Sequence, residues 1–114
     1  MKKTILIAIA LFMNTVLSAQ DNKVTEAKFN VDGVCGMCKS RIEKVLKIEE
    51  VKLAKWDKGA KIVKVAFLSS KITLDSLQRR IASIGHDTEK FKAPDSVYAN
   101  LPKCCLYRDG QPTH

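Results

Sequence analysis

The sequence lacks an apolar run long enough to cross a membrane: the stretch from Ile5 to Met13 is broken by Asn14, well short of the ~18 residues a span needs. No cysteine lies between the N-terminal segment and Cys35, so a lipid on a newly processed N-terminus has no attachment point. Internal repeats are absent, and 114 residues accommodate one small domain, which excludes a multidomain enzyme. The chain also lacks the compositional bias of a disordered, collagen-like or multi-pass membrane protein, since 46% hydrophobic and 28% charged residues are ordinary for a globular domain.

What is present begins with MKKTILIAIALFMNTVLSAQ. Two lysines, an apolar stretch and the small residues Ser18 and Ala19 form the pattern of a signal peptide, expected over residues 1–19 with cleavage after Ala19. The protein is therefore expected to be secreted or periplasmic, with no stable membrane insertion after cleavage. The formal net charge of +8 stays positive once Lys2 and Lys3 are removed. An exported domain does not ordinarily meet nucleic acid, so the basic surface is expected to face an acidic partner or anionic lipid, or simply water.

The mature chain alternates between two periodicities. Residues 24–32 (VTEAKFNVD) place Ala27, Phe29 and Val31 on one face, as a strand does. From Cys38 onward, Ile42, Val45, Leu46 and Glu49 follow a helical period. Residues 51–58 and 61–68 alternate again around Gly59 and Ala60, predicting a hairpin whose pattern leaves the face taken by Trp56 open. Leu74, Leu77, Ile81 and Ile84 predict a second helix, with Thr73 as N-cap and Gly85 as its stop. Residues 86–92 form a polar candidate for a last strand. This order predicts an α+β, ferredoxin-like βαββαβ sandwich, a four-stranded antiparallel sheet with two helices on one face and a C-terminal cysteine-containing tail. Within it we expect the first crossover to leave strands one and three parallel, and strand four to run antiparallel beside strand one. The Cys35 loop and His86 then lie at the same end of the sheet. After residue 92, Pro94, Asp95 and Ser96 predict a short helix carrying Val97, Tyr98 and Leu101, stopped by Pro102, with disorder from Arg108 on.

Four cysteines in so short a chain direct attention to thiol chemistry. Cys35-Gly36-Met37-Cys38 sits where a strand ends and a helix begins. Cys38 falls in the first helical turn, where unpaired N–H groups and the helix dipole favour a thiolate, and Lys39 and Arg41 act in the same direction. Two thiolates held together either oxidise to a disulfide or hold a soft metal ion. A disulfide that merely staples so short a loop constrains the unfolded chain little. A thiol-disulfide exchange protein with Cys35 as nucleophile fits the Cys-Gly-Met-Cys-Lys string, which is similar to thioredoxin's active site. That fold, however, needs a proline facing the cysteines, and none occurs between Cys38 and Pro94; two strands directly after the helix are also the wrong order for it.

Residues 24–92 resemble the heavy-metal-associated domain, found in copper chaperones, in the periplasmic mercury-binding protein and in the N-terminal modules of copper- and zinc-pumping ATPases. The resemblance rests on the strand VTEAKFNVD, on Cys35 and Cys38, on the helix run Arg41-Ile42-Glu43-Lys44-Val45-Leu46, on the hairpin and on Ile84-Gly85. It implies that Cys35 and Cys38 are metal ligands. The family's motif usually reads Gly-Met-Xaa-Cys-Xaa-Xaa-Cys; here Asp32 and Gly33 stand where the glycine and methionine would be. That methionine normally tucks the loop into the core, a gap that Met37 is one candidate to fill. The domain is expected over residues 20–92, with residues 93–114 as tail.

Two thiolates alone satisfy Cu(I) or Hg(II) but leave Zn(II) short of its usual four ligands, so Cu(I) is the expected ion. His86 occupies the loop where family members carry the residue that tunes the site, and is expected to supply a third ligand or to hydrogen-bond a thiolate; the plain alternative is an exposed histidine. Cys104 and Cys105, as neighbours, have Cα atoms about 3.8 Å apart, too close for an unstrained disulfide with each other. The tail begins at the pole opposite Cys35, yet twelve residues reach up to about 40 Å extended. A metal role for both tail thiols is expected, against alternatives of bonds to Cys35 or Cys38, crosslinks between chains, or idle thiols. His114 is read as a dangling end. The reading is a non-enzymatic, monomeric exported carrier that hands Cu(I), or else Hg(II) or Zn(II), to a metal efflux or sequestration protein. Thiol-disulfide exchange and a disulfide-stapled interaction module remain the alternatives.

Overall fold

The computed structural model describes residues 23–109; the expected signal peptide and His114 lie outside them. β1 (Val24–Asn30) leads through a loop to helix α1 (Gly36–Val45), then to the hairpin of β2 (Val51–Asp57) and β3 (Ile62–Leu68), and then to helix α2 (Leu74–Ser83). The sheet order is β1-β3-β2. Both pairings are antiparallel, with Phe29 opposite Val63 and Trp56 opposite Val63 on the other side. This corrects the expected parallel relation of strands one and three: β1 and β2 are the parallel strands, and β3 lies between them because the hairpin folds back into the gap.

Alternation decides the two faces of the sheet. Phe29, Trp56, Val63 and Val65 turn inward and meet Ile42 and Leu46 of the α1 segment and Leu77 and Ile81 of α2 in one buried core. The opposite face is open, and there Lys28, Lys64 and Lys55 stand in one cross-strand row. Directly opposed like charges cost a few tenths of a kcal/mol or more per pair, so this row is a standing cost on a basic outer surface. Helix α2 has the anticipated ends: Thr73 Oγ1 accepts from Ser76 N at 3.1 Å, and Gly85 adopts φ 110°. In the hairpin turn the left-handed residue is Lys61, at φ 59°, while Gly59 N donates to Asp57 Oδ1 at 2.9 Å.

The expected fourth strand is reduced, among the described residues, to one antiparallel bridge between Val31 and Thr88. The polar side chains of this segment bind locally instead of leaving a ladder free. Thr88 N and Oγ1 both bond to Phe91 O, and Asp87 Oδ1 accepts from Ala93 N at 2.7 Å. The bridge is nonetheless enough to bring residues 86–88 beside the loop that follows β1, as the antiparallel placement anticipated.

Beyond it, α3 (Asp95–Ala99) buries Tyr98, and 3-10 turns follow at Lys103–Cys105 and Tyr107–Asp109. Disorder was expected from Arg108, but Arg108 is anchored. Its guanidinium makes a two-point contact with Asp87, at 2.7 and 3.2 Å, reaches Asp95 at 2.9 Å and lies 4.3 Å from the Tyr98 ring centre. Such bidentate, charge-assisted pairs are the strong ones. Leu101 presses on Gly85 so closely that a Cβ there would sit 2.9 Å from Leu101 Cδ2. The end of α2 and the C-terminal segment are thereby locked together, and that segment lies over the site.

Candidate functional site

Val31 and Trp56 build the floor. Trp56 takes the inward face, 1% exposed, and its Nε1–H donates to Val31 O at 3.0 Å. A Cβ added at Gly33 would meet Trp56 Cζ2 and Cη2 at 3.0 Å and Cys38 Cβ at 3.1 Å. The indole therefore fills the space beneath the loop, and Gly33 is glycine because the ring is there. Met37 has no part in that filling: it is 51% exposed.

Above this floor Cys35 is the N-cap of α1 and Cys38 lies in its first turn. The C-terminal segment returns to them. Cys35 Sγ lies 3.5 Å from Cys38 Sγ, 3.3 Å from Cys104 Sγ and 3.6 Å from Cys105 Sγ, while Cys38 and Cys105 approach to 2.7 Å. All four are free thiols. The sulfurs of Cys35, Cys38 and Cys105 lie within 4.8 Å of one another and are buried; Cys104 is half-buried at the rim. Burial pushes the Cys35 thiol up, but the backbone N–H of Cys38 and the thiols of Cys104, Cys38 and Cys105 outweigh it and bring it down to about 7. Burial, with the hydrogen-bonded contacts to Cys38 and Cys35, raises Cys105, and the contact with Cys35 raises Cys104. One sulfur of the group is thus the most readily ionised, with the other three packed against it.

His86 stands apart from this cluster. It is fully buried, donates Nδ1–H to Asp32 O at 2.8 Å and stacks on Tyr107 with ring centres 5.7 Å apart. A carbonyl only accepts, so the proton is on Nδ1, and Nε2 is left without a partner. Its contacts hold the loop after β1 in place. Lys39 pairs with Glu43 and reaches Trp56 O, and Arg41 donates to Ile84 O at 3.0 Å, so both have structural partners. Sequence reasoning missed Tyr107 and Arg108. Tyr107 OH donates to Gly85 O and accepts from Asp87 N, both at 2.8 Å. Two tyrosines and an arginine among the apolar residues Val97, Leu101 and Leu106 were the signal that the tail packs.

This clamp carries a pH dependence. Burial lowers the His86 pKa, so stability is complete above its ordinary value near 6.5 and is lost as pH falls below that. Burial alone would raise Asp87, but the Arg108 guanidinium and Ala93 N–H hold it below 3.8; its contribution is present above that value and disappears in stronger acid. Asp32, raised by burial and by Asp87, opposes this acid loss in part. Thermal midpoints are expected to fall in two windows, from about pH 7 to 5 and again below about pH 4. His86→Gln should flatten the first and Arg108→Gln the second; a wild-type midpoint constant across both would contradict the clamp.

No family model matches the sequence, and no curated protein matches it. Solved structures do. The CopZ metallochaperone superposes with a TM-score of 0.54 and 30% identity, covering 56% of this chain and 98% of that one. The putative copper-ion-binding protein from Bacillus anthracis str. Ames gives 0.56 at 28% identity over 60% and 99%. The N-terminal domain of a potential copper-translocating P-type ATPase from Bacillus subtilis gives 0.56 at 27% identity over 66% and 96%. These likenesses extend over nearly the whole of each relative; the chain belongs to the heavy-metal-associated domain family.

Proposed function

We propose that the protein is an exported carrier of a soft metal ion, Cu(I) foremost, that grips it through Cys35, Cys38 and Cys105 and passes it by ligand exchange to a metal efflux or sequestration protein. The observation that carries this reading is the convergence of three buried thiol sulfurs within 4.8 Å, with a fourth at the rim. Neutral and anionic sulfur suits d10 ions such as Cu(I), Hg(II) and Zn(II). The tail sulfurs supply the ligands whose shortage counted against Zn(II), so donor number no longer separates the ions. The copper-binding relatives weigh for Cu(I).

The role needs no catalysis, because the ion leaves as it arrived. With Cys35 brought to about 7, the first metal–sulfur bond forms near neutral pH with little competition from its proton. Each remaining thiol releases its proton on binding, so affinity rises with pH. His86 serves as the post that keeps the loop in register. The leader sequence supports export, and the row of Lys28, Lys64 and Lys55 supports attraction of an acidic partner through long-range charge.

Native mass spectrometry after anaerobic exposure to Cu(I), Zn(II) and Hg(II) tests the reading. Wild type should retain Cu(I). The double variant Cys104→Ser/Cys105→Ser should keep a Cu(I) ion on Cys35 and Cys38 but hold Zn(II) ~100-fold more weakly, about 2.7 kcal/mol, because two of four ligands are gone. Wild type that retains none of the three ions would end the proposal.

A further inference from the structure

The buried sulfurs pose a problem of access. Cys38 and Cys105 are fully buried and Cys35 is 6% exposed. Yet an ion that moves by ligand exchange must touch a protein ligand before it leaves its previous one. Two sulfurs at the rim are reachable. Cys104 is half-buried, and Met37 is 51% exposed, one of three large apolar side chains left so open among the described residues. Their sulfurs are 4.0 Å apart, and Cys104 is 3.3 Å from Cys35.

We propose that Met37 and Cys104 form an outer two-sulfur subsite for a soft monovalent ion, Cu(I) or Ag(I), through which the metal reaches and leaves the buried cluster. This rests on the carrier reading above. Metal–sulfur bonds of about 2.3 Å let two sulfurs 4.0 Å apart share one ion with room for a third ligand. A thioether carries no proton to lose and binds soft monovalent ions without holding them tightly, which suits a transient contact. Met37 is also released from any packing duty, since Trp56 fills the space under the loop. Leaving its side chain in water therefore serves no structural need visible at this position.

The exchange balances. An arriving Cu(I) loses two labile ligands as bonds to Met37 Sδ and Cys104 Sγ form, and the Cys104 proton passes to water. Cys35 then bonds to the ion, its proton also passing to water, as Met37 departs. Copper stays monovalent throughout and no electron moves. Release runs through the same contacts in reverse.

Ag(I), diamagnetic and not readily oxidised, is the probe. With methyl-13C methionine in the full chain, the Met37 resonance, assigned by its loss in Met37→Leu, should shift once silver exceeds the capacity of the buried thiols. Met37→Leu should keep wild-type thermal stability and wild-type affinity at the buried cluster within twofold, while loading of Ag(I) and its removal by a small dithiol both slow at least tenfold. An unshifted methyl, or unchanged exchange rates in Met37→Leu beside a wild type that binds silver, overturns the outer subsite and leaves the carrier reading intact. A wild type that binds no silver overturns both.

Discussion

Replacing Cys35 and Cys38 together by serine is expected to lower Cu(I) affinity by at least a thousandfold, about 4 kcal/mol. Cys35 lies 3.3 to 3.6 Å from each of the other three sulfurs, and it is the one brought to about 7. Serine offers a hard oxygen whose proton is not lost near neutral pH, so both the softness and the charge of the site go. The remaining Cys104 and Cys105 are 4.0 Å apart and would be left without the two sulfurs they approach. The fold should survive. Cys38 Sγ already accepts from Val34 N at 3.5 Å, and a serine hydroxyl can accept from the same donor, limiting the cost to roughly 1–2 kcal/mol. Anaerobic competition against a chromophoric Cu(I) chelator, with circular dichroism as the fold control, measures the effect. A folded variant that competes as well as wild type would show that the copper resides elsewhere.

Trp56→Ala is expected to be the most damaging single change to stability, at about 3–5 kcal/mol. The side chain is 1% exposed, its Nε1 satisfies Val31 O, and its ring supports Gly33 and Cys38 Cβ. Truncation leaves a cavity directly beneath the loop, and an unpaired carbonyl beside it. For a domain of this size such a loss lowers the thermal midpoint by ~15–30 °C, a large share of the marginal stability small domains possess. The site should loosen with it, because the floor and the loop share the same ring. Calorimetry on metal-free protein gives the number, and a midpoint within a few degrees of wild type would mean that the indole is not the support described.

Much of the scaffold could be read locally. The alternation in VTEAKFN and in the hairpin is a statement about which side chains face the same way, and a strand's period of two converts it into a buried face without knowledge of the rest of the chain. Thr73 and Gly85 bracket α2 because a helix start needs an acceptor for its free N–H groups and a helix end tolerates positive φ at glycine. The Cys-Xaa-Xaa-Cys pair at a strand-to-helix junction was legible for the same reason. The direction of β1 relative to β3 was misread, since it depends on where the hairpin inserts and not on any local period. The fourth strand failed because Thr88 and Phe91 bond to each other and the Asp87 carboxylate takes Ala93 N–H, all within a few residues, leaving a ladder little to bond.

What the sequence determined by itself was a basic α+β unit and a thiol pair aimed at soft chemistry. What only the tertiary structure decided was the company that pair keeps. Cys104 and Cys105 meet Cys35 across 69 and 70 positions, and the contact depends on Arg108 and Tyr107 anchoring a segment with no periodicity. His86, by contrast, is drawn to the carbonyl of Asp32 and away from sulfur chemistry. Periodicity records how a residue faces its own element; which distant residues share a site is set by the balance of burial, charge pairing and chain entropy over the whole molecule.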